Sequence, residues 1–187
     1  MIILIELKLE HIERLQKMLG DTPKQIPIVT ARAINRSAEA ARTQAAKSAR
    51  QTYIIKHKDI ISTIRIKKAT PNSLFADIRS RGFVIKLINF KVNPGRPQPN
   101  RKRPITASVK RGSEKTIKNG FVAQMRSGHI NVFTRVSKRR FPIKGHYGPS
   151  VPQMLGNKSV EQAVEERAEV ILDKRLDHEI NRLFGGS

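Results

Sequence analysis

The chain has 187 residues, a length that suits one domain and buries enough surface to fold without a covalent staple. It holds no cysteine, which excludes disulfides and thiolate metal sites. Lysine and arginine number 37 against 15 acids, a formal net charge of +22, and self-repulsion on that scale calls for a polyanion or an acidic surface nearby, with nucleic acid the default partner.

The opening MIILIEL is apolar, but Glu6 and Lys8 interrupt it. It is too short for a membrane span and lacks the basic leader and cleavage site of a signal peptide, and no other apolar run approaches spanning length. A soluble protein without a membrane partner is therefore expected. Residues 1–22 read as an N-terminal extension in which Ile12, Leu15, Met18 and Leu19 share one face of a short helix stopped by Gly20. In TPKQ, residues 22–25, Thr22 is a candidate N-cap, Pro23 the first helical residue and Gln25 its capping-box partner. A long helix is predicted from there to about Thr52. Ala31, Ile34, Ala38, Ala41, Ala45 and Ala49 keep near-heptad spacing, and alanine on a buried stripe lets another backbone approach closely. Arg32, Arg36, Arg42, Lys47 and Arg50 read as solvated charges on its other faces.

Residues 53–69, YIIKHKDIISTIRIKKA, fit two readings: Ile60, Ile61 and Ile64 suit a helical turn, Ile64 and Ile66 a strand. β-character then dominates. LFADIRS (74–80), FVIKLINF (83–90), ITASVKR (105–111), GFVAQM (120–125) and HINVFTRV (129–136) are short, partly alternating and punctuated by Gly82, Gly112, Gly120 and Gly128. RSG at 126–128 suits a hairpin, and successive short strands imply an antiparallel sheet. Residues 93–104, NPGRPQPNRKRP, carry four prolines, four bases and no large apolar group. They predict an extended basic loop between two strands, long for a hairpin connection and so a candidate functional element.

FPIKGHYGPSVPQML, residues 141–155, sets Pro142, Pro149 and Pro152 with Gly145 and Gly148 among Phe141, Ile143, Tyr147, Val151, Met154 and Leu155. Prolines remove backbone donors and restrict the residues before them, so the reading is an irregular but apolar loop, packed on its own core or on another molecule. A C-terminal helix follows within 157–187. Ser159 and Gln162 form a capping box; Val160, Val164, Ala168, Ile171, Leu172, Leu176, Ile180 and Leu183 make one apolar stripe; Gly185 and Gly186 stop it. From 160 to 184 it would span roughly 37 Å. Glu161, Glu165, Glu169, Asp173 and Asp177 fall at successive i, i+4 positions. Such like-charge neighbours each cost an isolated helix about 0.2–0.5 kcal/mol. Residues 22–156, by contrast, hold only four acids against 29 bases. An acidic ridge on so basic a chain either faces a basic surface, such as that of a neighbouring subunit, or is an ordinary solvated face; exposed pairs of this kind would direct association more than drive it.

Catalytic patterns are missing. The five histidines have no metal-ligand spacing, there is no Walker loop or GxGxxG, and GHYGPS lacks the setting and spacing of a nucleophile elbow. The scattered central carboxylates cannot assemble a nuclease metal site. Neither an enzyme nor a cofactor is expected. Zinc-finger spacing, a basic zipper and an aromatic RNP-like strand are absent too, and seven Phe, two Tyr and no Trp argue against base-stacking platforms. Sequence-independent, salt-sensitive contact with phosphates is what remains.

Three stretches taken together, ARAINRSAEAARTQAAKSARQTYIIKHKDI at 31–60, GFVAQM followed by NVFTRV, and RRFPIKGHYGPSVPQML at 139–155, resemble the bacteriophage minor tail protein Z family of tail-completion proteins. The order agrees: alanine-rich helix, central strands, proline segment, C-terminal helix. The resemblance covers about 28 to 184, the proline segment is its most specific part, and the NPGRPQPNRKRP loop falls outside it. It implies a single tail-completion domain over 1–187 and a structural virion protein, made in the host cytoplasm, at the head-proximal end of the tail. That protein would complete the tail and support head–tail joining. Implied partners are copies of itself in a ring, hexameric where it matches the tail tube, neighbouring tail-tube, tail-terminator or neck proteins, and phage DNA bound non-specifically.

In that setting Phe141, Pro142, Ile143, Tyr147, Pro149, Val151, Pro152 and Leu155 are packing or subunit-interface candidates. Arg96, Arg101, Lys102, Arg103, Lys110, Arg111, Lys138, Arg139 and Arg140 are the candidates to face DNA. The expected fold is α+β, an antiparallel sheet packed against the long alanine-rich helix and the C-terminal helix. The alternative is a free, non-sequence-specific nucleic-acid-binding protein, supported by the charge and weakened by the missing groove-reading and stacking motifs.

Overall fold

The computed structural model describes residues 2–6, 11, 13, 17, 23–99 and 103–183. The predicted short helix on Ile12, Leu15, Met18 and Leu19, the Thr22 cap, Arg101 and Lys102 of the basic loop, and the Gly185–Gly186 stop lie outside these residues.

The fold is α+β, with a helical half and a β half, each around its own core. Helix α1 spans Ile26–Thr52. It starts later than TPKQ suggests, because Pro23–Gln25 form a 3-10 turn and Gln25 precedes the helix without a side-chain cap. Pro27 takes the first-turn position, where a missing N–H costs nothing. Ala33, Ala38, Ala41, Ala46 and Ala49 are fully buried. These small residues admit α4 (Lys158–Leu183) so closely that the Ser37 hydroxyl donates to the Ala168 carbonyl at 2.5 Å. Val160, Val164, Ala168, Leu172, Leu176 and Ile180 supply the facing stripe. The cap of α4 is Asn157 rather than Ser159: its carbonyl accepts from Val160 and Glu161 at 2.9 Å, and its Oδ1 accepts from the Ser159 amide. An asparagine this close to the helix start outcompetes the downstream serine.

α1 also packs on an antiparallel sheet with the order β1 (Ile2–Glu6), β3 (Phe75–Ser80), β2 (Ile64–Lys67). Ile5, Ile64, Ala76 and Ile78 feed the helical core. The opening apolar run is thus a sheet-edge strand. Both readings of 53–69 hold, for different residues: α2 (His57–Ile61) buries Ile60, and β2 follows.

The β half contains β4 (Val84–Lys86), β5 (Lys91–Asn93), β6 (Ile105–Ser108), β7 (Glu114–Ile117), β8 (Gly120–Gln124), β9 (Ile130–Arg135), β10 (Ile143–Gly145) and β11 (Tyr147–Ser150). They pair antiparallel as β5–β6–β7, β10–β9–β8 and β11–β4. FVIKLINF is not one strand: a 3-10 turn at Leu87–Asn89 follows β4, and Leu87 and Phe90 are both buried in this core. β6 ends at Ser108, short of the predicted 111. The chain beyond it pairs with the end of α1 instead, through Ile54 N–H to the Val109 carbonyl and Arg111 N–H to the Thr52 carbonyl, both at 2.9 Å.

The segment 141–155 corrects the expectation of an irregular loop. It forms β10, β11 and the short helix α3 (Val151–Leu155). Each proline sits where regular structure tolerates it. Pro142 precedes β10. Pro149 occupies the register shift between the Gly148–Ile85 and Ser150–Val84 pairs, and Pro152 lies in the first turn of α3. Ser150 and Gln153 form a complete capping box there. Val151 and Leu155 enter the helical core and Met154 the β core, so the segment joins the two halves.

Candidate functional site

Alternation along the β10–β9–β8 sheet sends Val122 and Val132 into the β core and leaves Phe121, Phe133 and Arg135 on the other face. Phe121 and Phe133 are directly opposite, their ring centroids 6.2 Å apart. The Arg135 guanidinium lies over the Phe121 ring at 5.3 Å. The turn after β9 closes through Val136 N–H to the Pro142 carbonyl, 3.1 Å, and Arg135 Nη1 to the Arg140 carbonyl, 2.7 Å. That turn brings the Arg140 guanidinium over the Phe141 ring at 5.7 Å. Arg126 comes from the β8–β9 hairpin, whose turn places Gly128 at φ +77° and bonds its N–H to the Met125 carbonyl at 2.9 Å. As RSG predicts, only a glycine takes that conformation without strain.

Phe121, Arg126, Arg135, Arg140 and Phe141 line a groove of about 760 Å³ with no carboxylate in its wall. A smaller cleft of about 160 Å³ shares Phe121 and is walled by Pro94, Arg96 and Pro99 of the basic loop. Pro94, Arg96 and Pro99 of the basic loop and Arg140 of the turn after β9 thus border clefts that share Phe121. A guanidinium resting on a ring is held in place by cation–π attraction with its charge unneutralised, and its N–H edges can grip an anion bidentately.

Of the predicted DNA-facing residues, Arg96 lines the smaller cleft and Arg140 the groove, and Arg103, Lys138 and Arg139 are exposed. Lys110 and Arg111 sit elsewhere, at the end of α1. Lys110 covers the Tyr53 ring at 5.8 Å, and Arg111 Nε donates to the Arg50 carbonyl at 2.8 Å, a cation on the negative end of the helix. Phe121, Arg126 and Arg135 were not singled out from sequence. Their signal was the two-residue alternation in GFVAQM and NVFTRV, which puts Phe121 and Arg135 outward once Val122 and Val132 are placed inward.

The family model described as Prophage minor tail protein Z (GPZ) matches residues 9–184. The chain belongs to this family. It is therefore a phage minor tail protein, a structural component of the virion tail. No curated protein and no solved structure matches it. Among its described residues no group of three or more His, Asp or Glu could hold a metal ion, and no helix is long and apolar enough to cross a membrane.

The packing candidates of this minor tail protein divide in two. Val151 and Leu155 are buried in its own core, and Ile143, Pro149 and Pro152 are half-buried. Phe141, Pro142 and Tyr147 are exposed. Tyr147 borders a second groove of about 940 Å³, whose wall includes Tyr53, Val84, Leu87, Val109 and Pro149 together with Lys110 and Lys115, and Phe83, next to Val84 in the chain, is 95% exposed. The half-buried His146, whose ring Nε2 is 3.1 Å from Thr134 Oγ1, also lines it. Burial, and then repulsion from Lys144, holds its pKa below the usual imidazole range. On the acidic ridge, Glu165 and Glu169 are exposed, while Glu161, Asp173 and Asp177 are half-buried. Asp173 Oδ1 lies 2.8 Å from Nε2 of buried His11, so this member contacts the protein's own N-terminal extension. Glu179, one face away, is buried between Arg182 at 2.8 Å and Arg32 at 3.5 Å.

Proposed function

We propose that this minor tail protein completes the head-proximal end of the tail as a ring of identical subunits and supports head–tail joining, with its basic β half beside the DNA passage. The observation that carries this reading is charge segregation. Residues 22–156 hold 29 bases and four acids, whereas 157–187 hold seven acids and five bases. A polyanion beside the first part relieves its self-repulsion, and phosphates are attracted without any base being read. The ring reading draws support from Val84 and Tyr147, large apolar groups more than half exposed at one groove, and from the exposed Phe83 that precedes Val84 in the chain. A head-to-tail contact that closes makes a ring.

Sizing chromatography across a concentration series tests the assembly directly. Oligomers are expected without nucleic acid, and Tyr147→Ala shifts them towards monomer at equal concentration. Imaging of particle necks should place the chain at the head-proximal tail end. Normal tails assembled from Tyr147→Ala protein would remove the Tyr147 groove as the subunit contact, and a neck without this chain would remove the head-proximal reading.

A further inference from the structure

We infer that the groove between Phe121 and Phe141 is a binding site for single-stranded nucleic acid, taking phosphates on Arg126, Arg135 and Arg140 and an unpaired base on the exposed ring of Phe141. This deepens the reading above and rests on it only in taking phage nucleic acid as the polyanion. Duplex DNA offers a basic surface only phosphates, because its bases are already stacked on one another. A surface that needed nothing but duplex backbone would gain nothing from aromatic rings between its arginines.

Here the rings are built in. Phe141 is 61% exposed at the rim of the groove, and the half-buried Phe121 lines it from the sheet face opposite Val122 and Val132. Arginines lie over both rings, at 5.7 and 5.3 Å. Aromatic side chains interleaved with cations on a sheet surface are the physical requirements for holding an extended strand: the cations track the backbone and the ring takes a base of any identity. The groove's volume of about 760 Å³ admits a nucleotide, and Arg96 at the adjoining cleft extends the cationic track past Phe121. Few aromatics in the sequence argued against such a platform, but one needs only a ring or two, and the fold delivers two to the same basic groove. An acidic segment of a partner protein would also be drawn by the charge, yet it would make no particular use of a solvent-facing ring.

Fluorescence anisotropy with labelled oligothymidine of about 20 nucleotides, a random duplex of the same length and polyglutamate of matched charge tests the site on the full chain. The single strand should bind about tenfold tighter than the duplex at equal salt. Phe141→Ala, at an exposed position, should cost the single strand about tenfold while moving duplex binding less than about twofold. Arg140→Gln should weaken both. Equal affinity for strand and duplex, or an unchanged single-strand affinity in Phe141→Ala, overturns the stacking site and leaves the DNA-passage reading standing. Binding of neither nucleic acid at low salt overturns both. Polyglutamate bound as tightly as oligothymidine overturns the site in favour of an acidic protein partner.

Discussion

Gly148 shows how one missing side chain can set a contact between strands. A Cβ at this position would lie 2.5 Å from Phe90 Cε2 and 2.8 Å from Cζ, and Phe90 is itself buried in the β core. The β4–β11 pair therefore lies against that ring only because residue 148 has no side chain. Gly148→Ala should lower stability by about 1–3 kcal/mol, the usual cost of overpacking, read as a fall in denaturant midpoint. Adding Phe90→Leu should recover part of that loss relative to Phe90→Leu alone, and strict additivity of the two would show that the ring is not what the methyl meets. His146 gives a pH signature of known sign. Its folded pKa is depressed by burial and Lys144, so the unfolded chain takes up the proton first. Its contribution is complete above the ordinary value of about 6.5 and is lost as pH falls below that towards the folded pKa. The ring is half exposed, so the effect is small. The melting temperature should drop more between about pH 7.5 and 5.5 in the parent than in His146→Gln; equal drops would remove His146 from the account.

At the scale of elements, what could be read in the sequence was what local spacing alone dictates. The alanine spacing of α1 and the stripe of α4 each repeat over many turns, so both helices and their buried faces were legible. The boundaries were not, since Asn157 and Ser159 are both good caps and only the backbone geometry chooses between them. The segment 141–155 failed for a sharper reason. Prolines argue against regular structure only where an N–H must be donated, and whether Pro149 must donate depends on a bulge against β4, some sixty residues upstream. The close crossing of α1 and α4 is testable at Ser37. Ser37→Ala should cost about 1 kcal/mol through the lost bond to Ala168, whereas Ser37→Leu should cost clearly more, about 1–3 kcal/mol beyond that, by prying the helices apart. Comparable midpoints for the two variants would mean that the helices have room to spare.

For the whole molecule, the charge asymmetry was visible in the sequence, but which cations converge was not. Arg96 and Arg140 are more than forty residues apart, and they border adjoining clefts only because the loop after β5 and the turn after β9 both reach Phe121 of β8. Arg111 shows the converse: equally basic in sequence, it is held on the carbonyls at the end of α1 and is less free to follow a phosphate. Duplex DNA should therefore discriminate among bases that composition treats as equal. With about four phosphates contacted, affinity should fall roughly a hundredfold between about 50 and 200 mM salt. Lys138→Gln and Arg139→Gln, both at exposed positions, should each flatten the log–log slope by up to about 0.9, whereas Arg111→Gln should change it little and instead lower stability. Equal slope changes for all three would mean that the polyanion meets a diffuse cloud of charge rather than the exposed turn after β9.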